Sequence, residues 1–418
     1  MWKQILSIFI AFLILIGHGD YCYAAELKEN DLFSKSAVLM DGESMRILYS
    51  KNSEEIMPMA STTKIMTCIL ALERSNPMEY VSVSSYAESM PDVQLHMVEG
   101  ESYQMKDLLY AMMLESFNDT AVAIAEHISG SVEEFAELMN KKAMEIGCKN
   151  TFFITPNGLD ATKTIEDEQG NVSTKEHSTT AGDLAKIMAY CILKSPCKKE
   201  FLKITQTKQY SFQNYVINEA GEQSVGGRSF SCINHNAFLS MMPGVMSGKT
   251  GFTGKAGYCY VGALESKERT YIVALLACGW PNNKNYKWSD SKKLFQYGCD
   301  QFEFKTVKFD QIDLKPQKVA NAAWTKTNNK REQRVRFRVK FPKLRYLLKE
   351  ENSIRIIKVM NKNLKAPIKK GEKMGTIQVY IDEDKVNERV IYAENSIPLL
   401  DFSWCIHYLF EEFFTILL

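Results

Sequence analysis

The chain carries no surplus of either charge. Its 418 residues include 51 basic and 50 acidic side chains, for a formal net charge of +1. A general nucleic-acid binder needs a cationic face to meet phosphates, so no nucleic acid is expected as a partner. Histidine is scarce: six residues, scattered along the chain. No Cys/His group has metal-ligand spacing, so neither a metal nor another cofactor is expected. The ten cysteines show no disulfide framework. Cys68, Cys259 and Cys278 lie in apolar runs and read as buried thiols, while Cys191 and Cys197 could pair.

What is present begins with length, which exceeds one ordinary core and predicts two domains. Residues 1–25 read as a cleaved signal peptide. Lys3 supplies the basic end, Ile5 to Gly17 the apolar core, and Cys22-Tyr23-Ala24-Ala25 the small residues for cleavage. The run is short for a membrane span. The remainder is therefore expected to act outside the cytoplasm, at the cell membrane or wall.

Pro58-Met59-Ala60-Ser61-Thr62-Thr63-Lys64-Ile65-Met66-Thr67 reads as the start of a buried helix. Ser61 and Lys64 are three apart and share one face. A serine hydroxyl needs a base within hydrogen-bond reach to attack at neutral pH. A desolvated lysine loses its proton more easily and can be that base. Free N–H groups at the same helix end can hold an oxyanion. Taken alone, Ser-x-x-Lys is common, and a serine near a helix start is usually a cap.

Around this stretch, Ala37–Met40 and Arg46–Tyr49 flank Asp41-Gly42 as a hairpin. Helices are predicted over 107–114, 119–128, Val132 to Ile146 and Thr179 to Leu193, with Asp183 as a cap. Residues 163–177 read as a polar, mobile loop. Tyr258–Leu264 and Thr270–Ala277 read as adjacent strands, and Ser289–Phe302 as a closing helix. The expected fold is α+β: an antiparallel sheet whose first and last segments pair across a helical insertion, spanning residues 26–303. Residues 304–395 then read as a small all-β module, with strands at 335–339, 354–359, 375–381 and 389–392. Residues 396–418 form an apolar tail rich in aromatics, among them Trp404, Tyr408, Phe410, Phe413 and Phe414, interrupted by Asp401, His407, Glu411 and Glu412. It reads as an amphipathic helix on a membrane surface, against the plainer reading of a helix packed on the β module. It lacks lysine and arginine, so anionic lipid would not attract it by charge. A full span would bury the two glutamates at a cost.

Three short motifs occur in order: Ser61-Thr62-Thr63-Lys64, Ser116-Phe117-Asn118 and Lys249-Thr250-Gly251. These resemble the set Ser-x-x-Lys, Ser-Asp-Asn and Lys-Thr-Gly of penicillin-binding proteins and class A β-lactamases. The chain resembles the serine D-alanyl-D-alanine carboxypeptidases among them, the low-molecular-mass penicillin-binding proteins of peptidase family S11. The likeness extends to Pro156-Asn157-Gly158-Leu159, to His177–Ala185 and to Ala366–Gly371.

The resemblance implies a penicillin-binding-protein/β-lactamase-like transpeptidase domain and a hydrolase that trims peptidoglycan pentapeptide stems and is inhibited by β-lactams. It assigns Ser61 as nucleophile, Lys64 as general base and Ser116 as proton relay. Asn118 would hold the substrate amide, Lys249 and Thr250 the terminal carboxylate, and Gly251 would let substrate approach. The backbone N–H groups of Ser61 and Phe252 would form the oxyanion hole. The family usually has glycine where Phe117 stands, so that side chain is expected to narrow the cleft. Some members have histidine where Phe252 stands, so no role there depends on an imidazole. A β-lactamase would need a base for deacylation between the second and third motifs. Glu166, Glu168 and Glu176 lie there, in no segment resembling that loop. A D,D-endopeptidase acting on cross-links remains open, as does a protein that only holds stems.

Overall fold

The computed structural model describes residues 26–166, 170–217, 223–324, 333–341 and 343–417. The expected signal peptide lies outside the described residues. The chain divides into two compact units between Asp300 and Gln301.

The first unit is built on a five-stranded antiparallel sheet. In chain order it uses β1 (Ser36–Asp41), β2 (Ile47–Lys51), α1 (Lys64–Arg74), α2 (Met105–Glu115), α3 (Asn118–Ser129), α4 (Val132–Ile146), α5 (Ala181–Ala189) and α6 (Lys198–Gln206). A hairpin of β3 (Gln209–Ile217) and β4 (Gln223–Ile233) follows, then β5 (Val245–Thr253), β6 (Gly257–Ser266), β7 (Arg269–Leu276) and α7 (Tyr286–Gln301). The sheet order is β2-β1-β7-β6-β5. β1 pairs antiparallel with β7, from Ser36 opposite Leu276 to Asp41 opposite Tyr271, so the first and last strands do close across the helical insertion.

β1 is buried along its whole length because it is covered on both faces. Its alternate residues serve opposite sides. Val38 and Met40 join the core of the helical insertion. Leu39 faces α7, where a Cβ on Gly298 would lie 3.0 Å from both Leu39 and Tyr271, so glycine lets the helix approach closely. β5 is left as an edge strand, and that edge matters for the site.

Three expectations need correction. Residues 163–177 are largely a hairpin, with Thr162–Glu166 paired to Val172–Glu176 by backbone hydrogen bonds that need no apolar face. Asp183 does not cap α5. Thr180 does, accepting from the Asp183 N–H, while the buried Asp183 carboxylate accepts from the N–H of Asn150 and the Thr151 hydroxyl. Cys191 and Cys197 are both free thiols. Their sulfurs point at the carbonyls of Ile65 and Leu72, seven residues and so about 10 Å apart along α1, which is too far for a disulfide. Cys68, Cys259 and Cys278 are buried thiols, as their apolar surroundings implied.

The second unit carries β8 (Glu303–Thr306), β9 (Phe337–Arg338), β10 (Arg345–Leu348), β11 (Ile354–Met360), β12 (Lys373–Ile381), β13 (Asp384–Ala393) and α8 (Phe402–Leu417). Its main sheet is antiparallel, in the order β9-β13-β12-β11. The predicted strand over 335–339 is split: Arg334–Val335 pairs with Gln317–Lys318, and Phe337–Arg338 with β13. Asp401 caps α8 by accepting the Trp404 N–H. Trp404 and Tyr408 pack on Trp324, at ring-centroid distances of 4.7 and 5.9 Å. Phe402, Ile406, Leu409, Phe410 and Phe413 are exposed. Among the described residues, no helix is long and apolar enough to cross a membrane.

Candidate active site

Ser61 sits in a 3-10 turn, Ala60–Thr63, that runs directly into α1. The turn is wedged between two segments. On one side, the edge strand β5 approaches so closely that a Cβ on Gly251 would lie 2.9 Å from the Ser61 nitrogen. On the other, a Cβ on Gly158 (φ 86°) would lie 2.1 Å from the Ala60 carbonyl oxygen, so only glycine fits there. Gly251 and Gly158 therefore set the position of the nucleophile from both sides.

Lys64 is fully buried. Its Nζ lies 2.9 Å from Ser61 Oγ, 2.9 Å from Asn118 Oδ1 and 2.7 Å from the Asn157 carbonyl oxygen. Burial first, and the neighbouring Lys249 second, push its pKa well below the usual lysine range. A neutral amine has two N–H donors and one lone pair. Asn118 Oδ1 and the Asn157 carbonyl can only accept, so they take both donors. The lone pair is left facing Ser61 Oγ, as a base for that hydroxyl must.

Ser116 ends α2 in the left-handed region (φ 71°). Its backbone N–H closes α2 on the Met112 carbonyl, but its side chain does not cap α3, which begins with no side-chain cap. Ser116 Oγ accepts from Lys249 Nζ at 2.9 Å, and Lys249 also donates to the Thr250 carbonyl at 3.0 Å. Burial lowers Lys249 to about 7. Asn118 is held at both ends of its amide, Oδ1 by Lys64 and Nδ2 by the Pro91 carbonyl at 3.0 Å. Ser61, Ser116, Thr250, Gly251 and Phe252 share one cleft of about 350 Å³ with Tyr258, His235, Lys284 and Lys287. Phe117 is not among its walls. That side chain, expected to narrow the cleft, is half-buried and packs against the core rather than lining this cavity. Phe252 does line the cleft, tilted on Tyr258 at 4.6 Å. Neither Glu166 nor Glu176 lines it, and Glu176 is paired with Lys255 at 2.8 Å. Glu168 lies outside the described residues.

Several participants are assigned no role from the sequence, although Asn157 and His177 lie in segments that resemble the family. Asn157 acts through its backbone carbonyl, which any residue possesses. His177 is buried behind the turn. Its Nδ1 accepts from the N–H groups of Ile154 and Thr155 at 2.9 and 3.3 Å, which places the proton on Nε2. Nε2 then donates to Thr63 Oγ1 at 2.8 Å, and Thr63 Oγ1 donates to the Ala60 carbonyl. Burial, then the nearby Lys64, hold His177 near 3, so it stays neutral. It ties the Asn157 loop to the turn that carries Ser61. Lys287 is 6% exposed, and its ammonium lies 4.5 Å from the Tyr258 ring and 4.7 Å from that of Trp288. Among the described residues no carboxylate pairs with it. Burial lowers it to about 8. An anion entering the cleft would be its counter-charge.

Comparison with known proteins agrees with this geometry. The profile of the D-alanyl-D-alanine carboxypeptidase family matches residues 24–278, and that of the penicillin-binding protein 5 C-terminal domain matches residues 342–399. The D-alanyl-D-alanine carboxypeptidase DacF of Bacillus subtilis is 29% identical over 414 residues, covering 96% of each chain. A D-alanyl-D-alanine endopeptidase of Pseudomonas aeruginosa is 28% identical over 237 residues, covering 56% of this chain and 67% of that one. The crystal structure of penicillin binding protein 5 from Haemophilus influenzae superposes with a TM-score of 0.64 at 25% identity, over 90% of this chain and 99% of that one. The chain therefore belongs to the D-alanyl-D-alanine carboxypeptidase family of serine peptidases.

Proposed function

We propose that this cleft removes the terminal D-alanine from peptidoglycan pentapeptide stems, by way of an acyl-enzyme on Ser61. The observation that carries this reading is the buried Lys64 amine, 2.9 Å from Ser61 Oγ, with its other two partners able only to accept. Lys64 takes the Ser61 proton as Oγ attacks the carbonyl of the penultimate D-alanine. The backbone N–H groups of Ser61 and Phe252 hold the oxyanion; losing one such donor typically costs on the order of a hundredfold or more in rate. Lys249 and Thr250 take the terminal carboxylate, with Lys287 as a second cation. Asn118 orients the substrate amide, and Gly251 admits the substrate backbone beside β5. The C–N bond breaks and the departing D-alanine amine takes a proton through Ser116. Water then attacks the acyl carbonyl and frees Ser61. A β-lactam acylates Ser61 in the same way and leaves slowly.

Residues 1–25 act as a cleaved signal peptide in this reading. Residues 26–303 form the catalytic domain and 304–395 a β-rich spacer or partner surface. Residues 396–418 lie on the outer membrane–water boundary.

The test is intact-protein mass after mixing with benzylpenicillin, for wild type and Ser61→Ala, beside D-alanine release from a D-Ala-D-Ala peptide. A stable adduct lost in Ser61→Ala, together with D-alanine release, is the expected result. Rapid drug hydrolysis without a lasting adduct would make the chain a β-lactamase. Adduct without release, with cleavage of cross-linked dimers, would make it an endopeptidase. Neither adduct nor release would leave a protein that only holds stems.

A further inference from the structure

The charge balance of the whole chain conceals an asymmetry. Residues 301–418 carry 23 lysines and arginines against 15 aspartates and glutamates, a surplus of eight in a chain whose net charge is +1. None of that positive charge lies in α8. The helix instead exposes Phe402, Ile406, Leu409 and Phe413, spaced by four, three and four residues and therefore on one face. Its opposite side is occupied by the packing of Trp404 and Tyr408 on Trp324.

The cations stand at the root of the helix. Between Asn361 and Gly371 the chain has four lysines and no acid. Leu364, Ala366 and Ile368 turn inward, while Lys362, Lys365, Lys369 and Lys370 are exposed. This loop is bonded to the segment between β13 and α8. Ile368 and Ile397 exchange backbone hydrogen bonds of 2.9 and 2.8 Å, and the Lys370 N–H donates to Ser396 Oγ at 3.0 Å. Ala366 donates to the Ala320 carbonyl, and Leu400 to that of Asn321. Among the described residues none of the four ammonium groups has a carboxylate partner. The neighbouring Glu372 carboxylate accepts the Lys369 N–H instead.

We propose that Lys362, Lys365, Lys369 and Lys370 and the exposed face of α8 form one two-part contact for an anionic phospholipid surface. The apolar stripe enters the interface, and the lysine loop, held beside its root, meets headgroup phosphates. Stable peripheral anchoring generally needs two such signals. A helix with aromatics and no cation supplies only the first. This inference rests on the membrane-surface reading of α8.

The test is co-sedimentation of the protein, recovered from an exporting host, with vesicles of phosphatidylcholine alone or with about 30% phosphatidylglycerol. The variants are Lys362/Lys365/Lys369/Lys370→Gln and Phe410→Glu/Phe413→Glu. A lysine near an anionic surface contributes roughly fivefold in affinity, so the lysine variant should lose at least tenfold on phosphatidylglycerol vesicles at low salt. It should retain wild-type binding to phosphatidylcholine and wild-type D-alanine release from a soluble peptide. The wild-type preference for phosphatidylglycerol should shrink as salt rises, and sodium phosphate should act no more strongly than chloride of equal ionic strength. The helix variant should lose binding to both vesicles. If the lysine variant binds phosphatidylglycerol as wild type does, the proposal is overturned while the helix reading stands. If wild type binds neither vesicle, or the helix variant still binds both, the membrane reading itself fails and the proposal falls with it. Retention by a phosphate-rich wall polymer without vesicle binding would also overturn it.

Discussion

Replacing Gly251 by alanine separates position from chemistry, because it removes no catalytic atom. The added Cβ would lie 2.9 Å from the Ser61 nitrogen and 3.0 Å from both the Met59 oxygen and the Thr62 nitrogen. All three are backbone atoms of the nucleophile turn, so no side chain can swing away. The turn and β5 must part by roughly 0.5 Å to restore an ordinary contact in a close-packed interior. Overpacking of this kind costs about 1–3 kcal/mol in stability. The functional cost is larger. The Ser61 N–H is one of two proposed oxyanion donors, and a shift of that size weakens both the donor and the attack geometry. Together these predict a loss of about a hundredfold in acylation. The assay is the second-order rate of adduct formation with benzylpenicillin, followed by intact mass. Gly227→Ala is the control, since a Cβ there meets nothing within 4 Å. A folded Gly251→Ala that acylates within about twofold of wild type would refute the placement of β5 against the nucleophile.

Other outcomes follow from the same geometry. Lys287→Gln should raise KM for a D-Ala-D-Ala peptide at least about tenfold at neutral pH, as expected for one hydrogen bond to a charged group. The Lys287 ammonium is present below about 8 and lost above it, so wild-type KM should climb as pH rises through that value, and this limb should be missing in Lys287→Gln. His177→Phe leaves the N–H groups of Ile154 and Thr155 without their acceptor and frees the loop that holds Lys64. Its acylation rate should fall at least about tenfold, with the pH profile of acylation displaced and peptide KM little changed. Leu39→Ala, in the fully buried centre of β1, should cost about 2–5 kcal/mol in denaturant unfolding without altering the pH profile.

The order of the three motifs, the hairpin at Asp41-Gly42 and the closure of the sheet by its last strands were all legible, because each rests on local spacing or on a run long enough to show its period. The β3–β4 hairpin is marked less clearly. Its signal is weaker but present: Tyr210 and Phe212 alternate with Ser211 and Gln213, and the run then breaks at the half-polar stretch around Asn214. The hairpin over 162–176 has no such signal, since its strands are largely exposed and polar and pair with each other through backbone bonds.

By itself, the sequence determined the chemical vocabulary of the site. A serine and a lysine one turn apart, a second serine, and a lysine before a glycine on a strand are choices of side chain, and side chains are what a sequence specifies. Only the tertiary structure decided how those groups are poised. Lys64 Nζ is poised on Ser61 because a carbonyl 93 positions away, at Asn157, accepts one of its N–H bonds. His177 reaches Thr63 across 114 positions. Phe117 packs its ring against the core, and Lys287 stands without a carboxylate partner among the described residues because α7 sets it beside Tyr258. Burial, carbonyl direction and the absence of a counter-charge are properties of a packed neighbourhood, and no single stretch of chain contains one.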